Sequence, residues 1–411
     1  MEKKILVLKE EQGIWTYILE NNEIVEIHVD ESSKSKSSKN KTSKGEPSHQ
    51  VGNVYIGKVK KILNNIGAAF VEIEPGLECY YDLSQAETAM FTTKVGKKPL
   101  CVADELIVQL SKEGTKTKAP TVTSNISFTG YYSVLTTGNT RIGVSTKISK
   151  KKREELKAFL DQYEHQEYGL ILRTNGEEAP LQLIEEEIEA HIQAFEHMKS
   201  KAAMRTCFSV LRKNPPGYIT QLRNVGRRGL SKILVNDQEI YDEICDFYES
   251  FDREHLPLIQ LEEETSTSLA SIFNTRKVLE RALLEKVWLK NGAYLIIQPT
   301  EALTVIDVNS GKYEKKESEK EAALKINLVA ACEIAKQLRL RNISGIIIVD
   351  FINMEDEEDI LALVKEFKGY LSRDAVPTTL VGVTKLQLME LTRKKIRKPL
   401  SETLTLANKK V

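Results

Sequence analysis

The sequence predicts an α/β chain, multidomain in the α+β sense, and three observations predict it. Two apolar, β-rich runs, Leu303-Thr304-Val305-Ile306-Asp307 and Ile346-Ile347-Ile348-Val349-Asp350, each end on an aspartate. Between them Ile326, Ala330, Ile334 and Leu338 recur every four residues, the spacing of an amphipathic helix. Upstream, many short alternating runs are separated by glycine-bearing turns, the pattern of a small barrel.

The two aspartate-terminated runs organise the rest. Ile346 to Val349 shows no polar alternation, so it reads as a strand buried on both faces. A strand-helix-strand unit sets its two strands parallel and brings their C-terminal ends to one sheet edge, where sites form in open α/β sheets. Asp307 and Asp350 are therefore expected to converge. Two hard carboxylates completed by water suit Mg²⁺. Asn309, two residues past Asp307, is placed to hold a carboxylate or a phosphate through its amide. Taken singly, each aspartate reads more simply as the end of a strand or the cap of a turn. The pairing, and the lack of another metal-type cluster, favours the functional reading.

The chain has 411 residues, enough for two to four domains. Its formal net charge of zero neither marks nor excludes a nucleic-acid binder, because patches matter more than sums. No apolar run approaches the ~18 residues of a membrane span, and no basic stretch followed by an apolar run opens the chain. Cys79, Cys101, Cys207, Cys245 and Cys332 are scattered, without a Cys-x-x-Cys pair. A reducing cytoplasm is expected, and structural zinc is not.

In chain order, residues 1–30 carry strand patterns at 5–8, 14–19 and 24–27. Residues 31–50 are rich in serine and lysine and are expected to be a disordered insert. Residues 51–123 give the barrel, with Lys58, Lys60, Lys61, Lys112, Lys116 and Lys118 supplying charge and Phe70, Tyr80 and Tyr81 supplying rings. An OB-fold barrel binds single strands with this combination of stacking faces and cations. The competing reading makes Phe70 core and the lysines solubilising. Residues 124–218 form another unit, with helices expected at 149–162 and 181–212. The acidic run Glu185-Glu186-Glu187 reads as a solvated helix face. Arg173-Thr174 ends a strand, where guanidinium, hydroxyl and backbone N–H suit a terminal phosphate. Residues 219–284 are expected to hold a strand at 233–235 and helices at 238–248 and 269–284. From Lys385 the chain is basic. On a helix these cations would meet RNA phosphates, or only snorkel at the surface.

The segment Arg281–Met354 resembles the ribonuclease E/G family of bacterial endoribonucleases. The resemblance is carried by Thr300-Glu301-Ala302-Leu303-Thr304-Val305-Ile306-Asp307-Val308-Asn309-Ser310-Gly311, by Glu333-Ile334-Ala335-Lys336-Gln337-Leu338-Arg339-Leu340-Arg341, and by Gly345 with Val349-Asp350-Phe351-Ile352. It implies a ribonuclease-H-like subdomain (1–30 with 219–284), split by an inserted OB-fold RNA-binding barrel (51–123) and a 5′-sensor (124–218). A deoxyribonuclease-I-like catalytic subdomain (285–403) and a basic tail (404–411) follow. It matches Asp307 and Asp350 to the Mg²⁺ carboxylates and Asn309 to the asparagine that supports them. Phe70, Tyr80 and Lys118 match RNA-contacting positions, and Arg173, Thr174 and Val134 match a pocket for a 5′-monophosphate.

This sequence departs from the family at Tyr80, where Phe is commoner, at Asn353, where Asp is common, and at Thr146-Lys147, which is not arginine-rich. Family members commonly continue into a Cys-x-x-Cys zinc link and a small dimerisation domain. Neither occurs in this sequence, so zinc is not carried over and the oligomeric state stays open. The resemblance implies a cytoplasmic, Mg²⁺-dependent endoribonuclease acting on single-stranded mRNA or rRNA precursors, with 5′-phosphate and 3′-hydroxyl products. The alternatives are an RNA-binding member with weak or lost catalysis, and a small-molecule phosphohydrolase using the same carboxylates.

Overall fold

The computed structural model describes residues 2–31, 49–92, 99–114, 118–225, 229–249, 253–262, 268–313 and 319–408. The serine- and lysine-rich insert at 32–48, Lys116 and residues 409–411 of the tail lie outside them. The chain divides into two compact units, one drawn from residues 1–35, 229–246 and 254–411, the other from 36–228 and 247–253.

The first unit holds two sheets. One runs Ile259–Leu261, Leu230–Val235, Lys3–Glu10, Gly13–Glu20, Glu23–Glu31 in spatial order. Its first three strands are parallel and its last three are joined by tight antiparallel turns. Residues from both ends of the unit meet on it: Leu6, Trp15 and Tyr17 share a core with Leu340, Leu400 and Leu404. The basic stretch is therefore not one RNA-facing helix. Thr378–Val383 and Met389–Arg393 are strands, and only Leu400–Asn408 is helical. Arg393 is buried, donating from Nε to Asp374 Oδ2 at 2.7 Å. The expected helix at 269–284 is also two, Leu269–Ile272 and Thr275–Ala282, because Asn274 sits in the left-handed region at φ +51°. Asparagine tolerates that conformation better than most residues.

The second sheet of this unit orders its strands Lys286–Trp288, Tyr294–Pro299, Leu303–Asn309, Gly345–Asp350, Met389–Arg393, Thr378–Val383. Leu303–Asn309 and Gly345–Asp350 are parallel, joined by the helix Glu319–Leu340 as the apolar spacing predicts. One sheet face buries Leu295, Ile297, Ile306, Val308, Ile347 and Val349 in a core with Ile326, Ala330, Ile334 and Leu338 of that helix. Strand alternation sends the intervening residues to the opposite face.

In the second unit, Val54–Leu63, Ala68–Glu74, Leu77–Asp82, Thr121–Thr123 and Glu105–Lys112 pair in that order, and the last pairs back onto the first. The result is a closed five-stranded barrel around Val59, Val71, Cys79, Tyr81, Val108 and Val122. Residues 127–224 build a four-stranded sheet (Gly143–Val144, Gly169–Leu172, Ser133–Thr136, Ser127–Thr129) with the helices Lys150–Leu160, Leu181–Ala203 and Gly217–Asn224. Helix Leu181–Ala203 is shorter than expected. Val210–Arg212 leaves it to pair with the barrel strand at Val54 and Tyr55. The subdomain boundary expected after residue 218 falls inside helix Gly217–Asn224.

Candidate active site

Asp307 and Asp350 are register partners on the two parallel strands. Adjacent strands lie about 4.8 Å apart, so both carboxyl groups spring from neighbouring positions on one face of the sheet. Asp307 is half-buried and Asp350 is exposed. Asn309 Nδ2 donates to Asp307 Oδ2 at 2.7 Å, which restrains the carboxylate's orientation. Gly311 follows at φ +55°. A Cβ there would stand 2.7 Å from Gly292 O and 2.9 Å from the Tyr294 ring. Only glycine accommodates both the φ and the approach.

The donors fit a small hard cation that keeps most of its water. They are two carboxylates at an open edge, one steadied by an amide, which is the partial protein ligation that Mg²⁺ accepts. Among the described residues no group of three or more His, Cys, Asp or Glu side chains is placed to hold a metal. Asn353 lies beyond the strand end and is not in the Asp307–Asp350 pair.

The same sheet face carries residues that the motif reading passed over. Lys286 pairs with Ile296 and Ile296 with Asp307, while Trp288 pairs with Tyr294 and Tyr294 with Asn309. Directly opposed residues share a face. Their signal in the sequence was the exposed-parity aromatic in each strand of the hairpin 286–299, which becomes readable only once the register is known.

On the barrel, Phe70 and Tyr80 are half-buried and directly opposed, while their neighbours Ala69, Val71, Cys79 and Tyr81 point inward. Phe70 is therefore an outer-face residue and not core. The ladder continues on both sides: Lys61 opposes Phe70, Thr121 opposes Tyr80, and Lys112 opposes Thr121. Lys61, Phe70, Tyr80, Thr121 and Lys112 thus form one rung across the outside of the barrel. Lys118 is exposed in the loop that leads into Thr121. That loop is tied to the rung by the Tyr80 N–H, which donates to Pro120 O at 2.8 Å.

Arg173, Thr174 and Val134 also lie close together. Val134 opposes Ile171, two residues before Arg173 and on the same face. Thr174 is exposed, and its hydroxyl is 2.9 Å from that of Ser145. The Arg173 guanidinium donates inward, to Gly130 O (2.6 Å), Arg223 O (3.4 Å) and Asn224 Oδ1 (2.6 Å). Burial lowers its pKa, and the Glu187 charge works in the opposite direction. Burial, with the charges of Arg173 and Arg212, pushes Arg223 down to about 10.

Glu187 corrects the reading of the acidic run as a solvated face. Its carboxylate accepts from the N–H groups of Tyr131, Tyr132 and Ser133 at 2.6, 2.9 and 2.7 Å. Those amides need a partner in a turn that the sheet does not serve. Gly130 makes room, since a Cβ there would stand 2.3 Å from the Glu187 carboxyl carbon.

Fold and site together define a mixed α/β chain with a paired-carboxylate sheet edge and a separate five-stranded barrel. The sequence pattern of the ribonuclease E/G family matches residues 127–396, and the chain belongs to that family. It is 34% identical over 356 residues to "Ribonuclease E" of Synechocystis sp., covering 85% of this chain and 52% of the relative. It is 33% identical over 358 residues to that of Nostoc sp., covering 84% and 51%. To "Ribonuclease G" of Escherichia coli (strain K12) it is 31% identical over 375 residues, covering 86% and 74%. The chain thus spans about half the length of the two ribonuclease E relatives. Among the described residues no helix is long and apolar enough to cross a membrane.

Proposed function

We propose that the chain is a Mg²⁺-dependent endoribonuclease acting on single-stranded RNA in RNA processing or decay, leaving 5′-phosphate and 3′-hydroxyl ends. The observation that carries this reading is the Asp307–Asp350 register pair with the Asn309 amide on Asp307. Asp307 and Asp350 hold the ion, and Asn309 keeps Asp307 in the orientation that does so. A bound Mg²⁺ supplies Lewis acidity at the scissile phosphate and makes a water more acidic. The barrel rung grips the strand. Phe70 and Tyr80 offer stacking faces, while Lys61, Lys112 and Lys118 offer charge to the backbone.

A preference for 5′-monophosphorylated ends is assigned to Thr174, Arg173 and the wall at Val134. The exposed Thr174 hydroxyl supports it. The inward bonds of Arg173 give the guanidinium a second task, holding helix Gly217–Asn224 against the sheet.

The test uses a short single-stranded RNA labelled at its 3′ end, carrying a 5′-monophosphate or a 5′-hydroxyl, with Mg²⁺ or EDTA. Wild type and Asp307→Asn are compared. Internal cleavage that requires both Mg²⁺ and Asp307 is the expected result. Cleavage that persists in EDTA, or in the variant, overturns the assignment.

A further inference from the structure

We infer that Trp288, Tyr294 and Lys286 form a stacking platform for an unpaired base of the RNA strand, next to the carboxylate pair. This deepens the reading of the chain as a single-strand ribonuclease and rests on it. Three observations carry it.

The first is placement. Tyr294 opposes Asn309 and Trp288 opposes Tyr294, so the rings extend sideways from the asparagine that holds Asp307. Lys286 lies in the same rung as Ile296, Asp307 and Asp350. Any strand whose phosphate sits at the carboxylates runs its neighbouring nucleotide across these rings, or away from them along the sheet edge. The platform is an aromatic surface within a strand spacing or two of the reacting position.

The second is exposure against chemistry. Trp288 is 54% exposed. Single exposed apolar side chains are ordinary, and Met204, Leu386 and Leu361 are more exposed still. What sets Trp288 apart is that a second ring and a cation pack with it on the carboxylate face. The Trp288 and Tyr294 centroids are 5.2 Å apart with planes tilted 60°. Lys286 Nζ lies 4.3 Å from the first centroid and 3.7 Å from the second. One ammonium therefore serves both rings through cation–π attraction. It covers one face of each ring and holds them in place, and it puts a positive charge beside a base that stacks on the exposed remainder of Trp288, for the sugar-phosphate backbone to meet. Base stacking plus a cation for the backbone is the combination that binds single strands without reading their sequence.

The third is rigidity. The hairpin turn is closed by Leu289 N–H to Ala293 O (2.8 Å), and Lys312 N–H donates to Gly292 O (2.9 Å). The turn after Asn309 is thereby tied to the turn that bears Trp288. Gly311 gives the Tyr294 ring its place, because any side chain there would strike it. The platform is built before substrate arrives, so little ordering is needed on binding.

The chain offers its own reporter. It has two tryptophans, and Trp15 is only 1% exposed. Emission that responds to an added solute therefore reports Trp288. The experiment titrates Asp307→Asn protein, which is expected to bind without cutting, with a 5′-monophosphorylated oligoadenylate and with a matched chain of abasic ribose phosphates. Binding is followed in parallel through a dye on the oligonucleotide. The expected result is quenching of tryptophan emission by the oligoadenylate and none by the abasic chain. In otherwise wild-type protein, Trp288→Ala should raise KM by about fivefold to a hundredfold, the range that loss of one base–ring stack implies. It should leave kcat nearly unchanged, and Trp288→Phe should restore most of the loss.

Binding and cleavage with no quenching, and with a wild-type KM in Trp288→Ala, overturns the platform while the nuclease reading stands. Failure to bind or cleave RNA at all removes both. Emission that changes with protein concentration and not with RNA assigns the rings to contact between copies of the chain, and also overturns the platform.

Discussion

Asn309 donates its amide to Asp307 Oδ2 at 2.7 Å, and this one bond separates the two carboxylates in kind. Asp307 is half-buried and oriented, while Asp350, its partner in the parallel ladder, is exposed. Replacing Asn309 by Ala leaves both carboxylates in place and frees Asp307 to rotate. Groups that orient a metal ligand are worth about 10- to 100-fold in metal affinity or activity. Asn309→Ala should therefore raise the Mg²⁺ concentration needed for half-maximal cleavage by about that factor. A Mg²⁺ titration of the cleavage rate checks it. An unchanged midpoint would mean the amide does not serve the ion.

Asp307→Asn is expected to abolish cleavage with RNA affinity and melting temperature close to wild type. The substitution is nearly isosteric, and Asp307 is not part of the core that holds the sheet to helix Glu319–Leu340. Calorimetry and an equilibrium binding curve on the same preparation decide it. Comparable losses of folding, binding and cleavage would make Asp307 a structural residue.

The barrel rung predicts a graded salt response. Lys61, Phe70, Tyr80, Thr121 and Lys112 succeed one another across the ladder. If Lys61 and Lys112 each meet a phosphate, Lys61→Ala and Lys112→Ala should each flatten the slope of log affinity against log salt by about 0.7. Phe70→Ala and Tyr80→Ala remove stacking and no charge, so they should weaken binding with the slope intact. Binding isotherms at several salt concentrations separate the two. A slope change in Phe70→Ala would contradict the division of labour.

Much of this was legible in the residues, and what was not has a common cause. Ile346 to Val349, followed by Asp350, announces a strand with a carboxylate at its end, but its unbroken apolar run does not mean burial on both faces: Ile347 and Val349 are buried, while Ile346 is 50% exposed and Ile348 only half-buried. The rung on the barrel was legible only as a set of residue types. Register irregularities between Val59 and Lys61 and between Leu110 and Lys112 decide which lysines meet the rings, and those arise from long-range pairing. Glu187 misled for a related reason. It sits in a run of three glutamates on a helix, yet its burial is set by orphan amides at residues 131–133, far away in sequence. Val210–Arg212 continues a helical pattern until a barrel edge captures it as a strand.

The last prediction concerns Arg339, a residue of the motif that carried the family resemblance. Its guanidinium is not at the carboxylate edge. It donates to Glu20 Oε1 and Glu26 Oε1, each at 2.8 Å, and all three side chains are largely buried. The bonds clasp helix Glu319–Leu340 to the strands Gly13–Glu20 and Glu23–Glu31. Burial alone would push the Glu26 carboxyl up, but the His28 hydrogen bond and the Arg339 charge overcome this and hold it at about 2. A carboxyl held below its ordinary value of 4.5 contributes stability that is fully present above that pH and is lost as pH falls toward 2. Acid unfolding of the wild type should draw on this group in that window. Removing one partner of a buried ion pair typically costs about 3–5 kcal/mol, because it leaves charge stranded. Arg339→Met should lose about that much stability at neutral pH. Without the arginine, the Glu26 carboxyl titrates closer to its ordinary range, so the variant should also lose less further stability between pH 4.5 and 2 than the wild type does. Denaturant midpoints measured across that range check both parts. Parallel stability curves for the two proteins would show that the clasp does not tune Glu26.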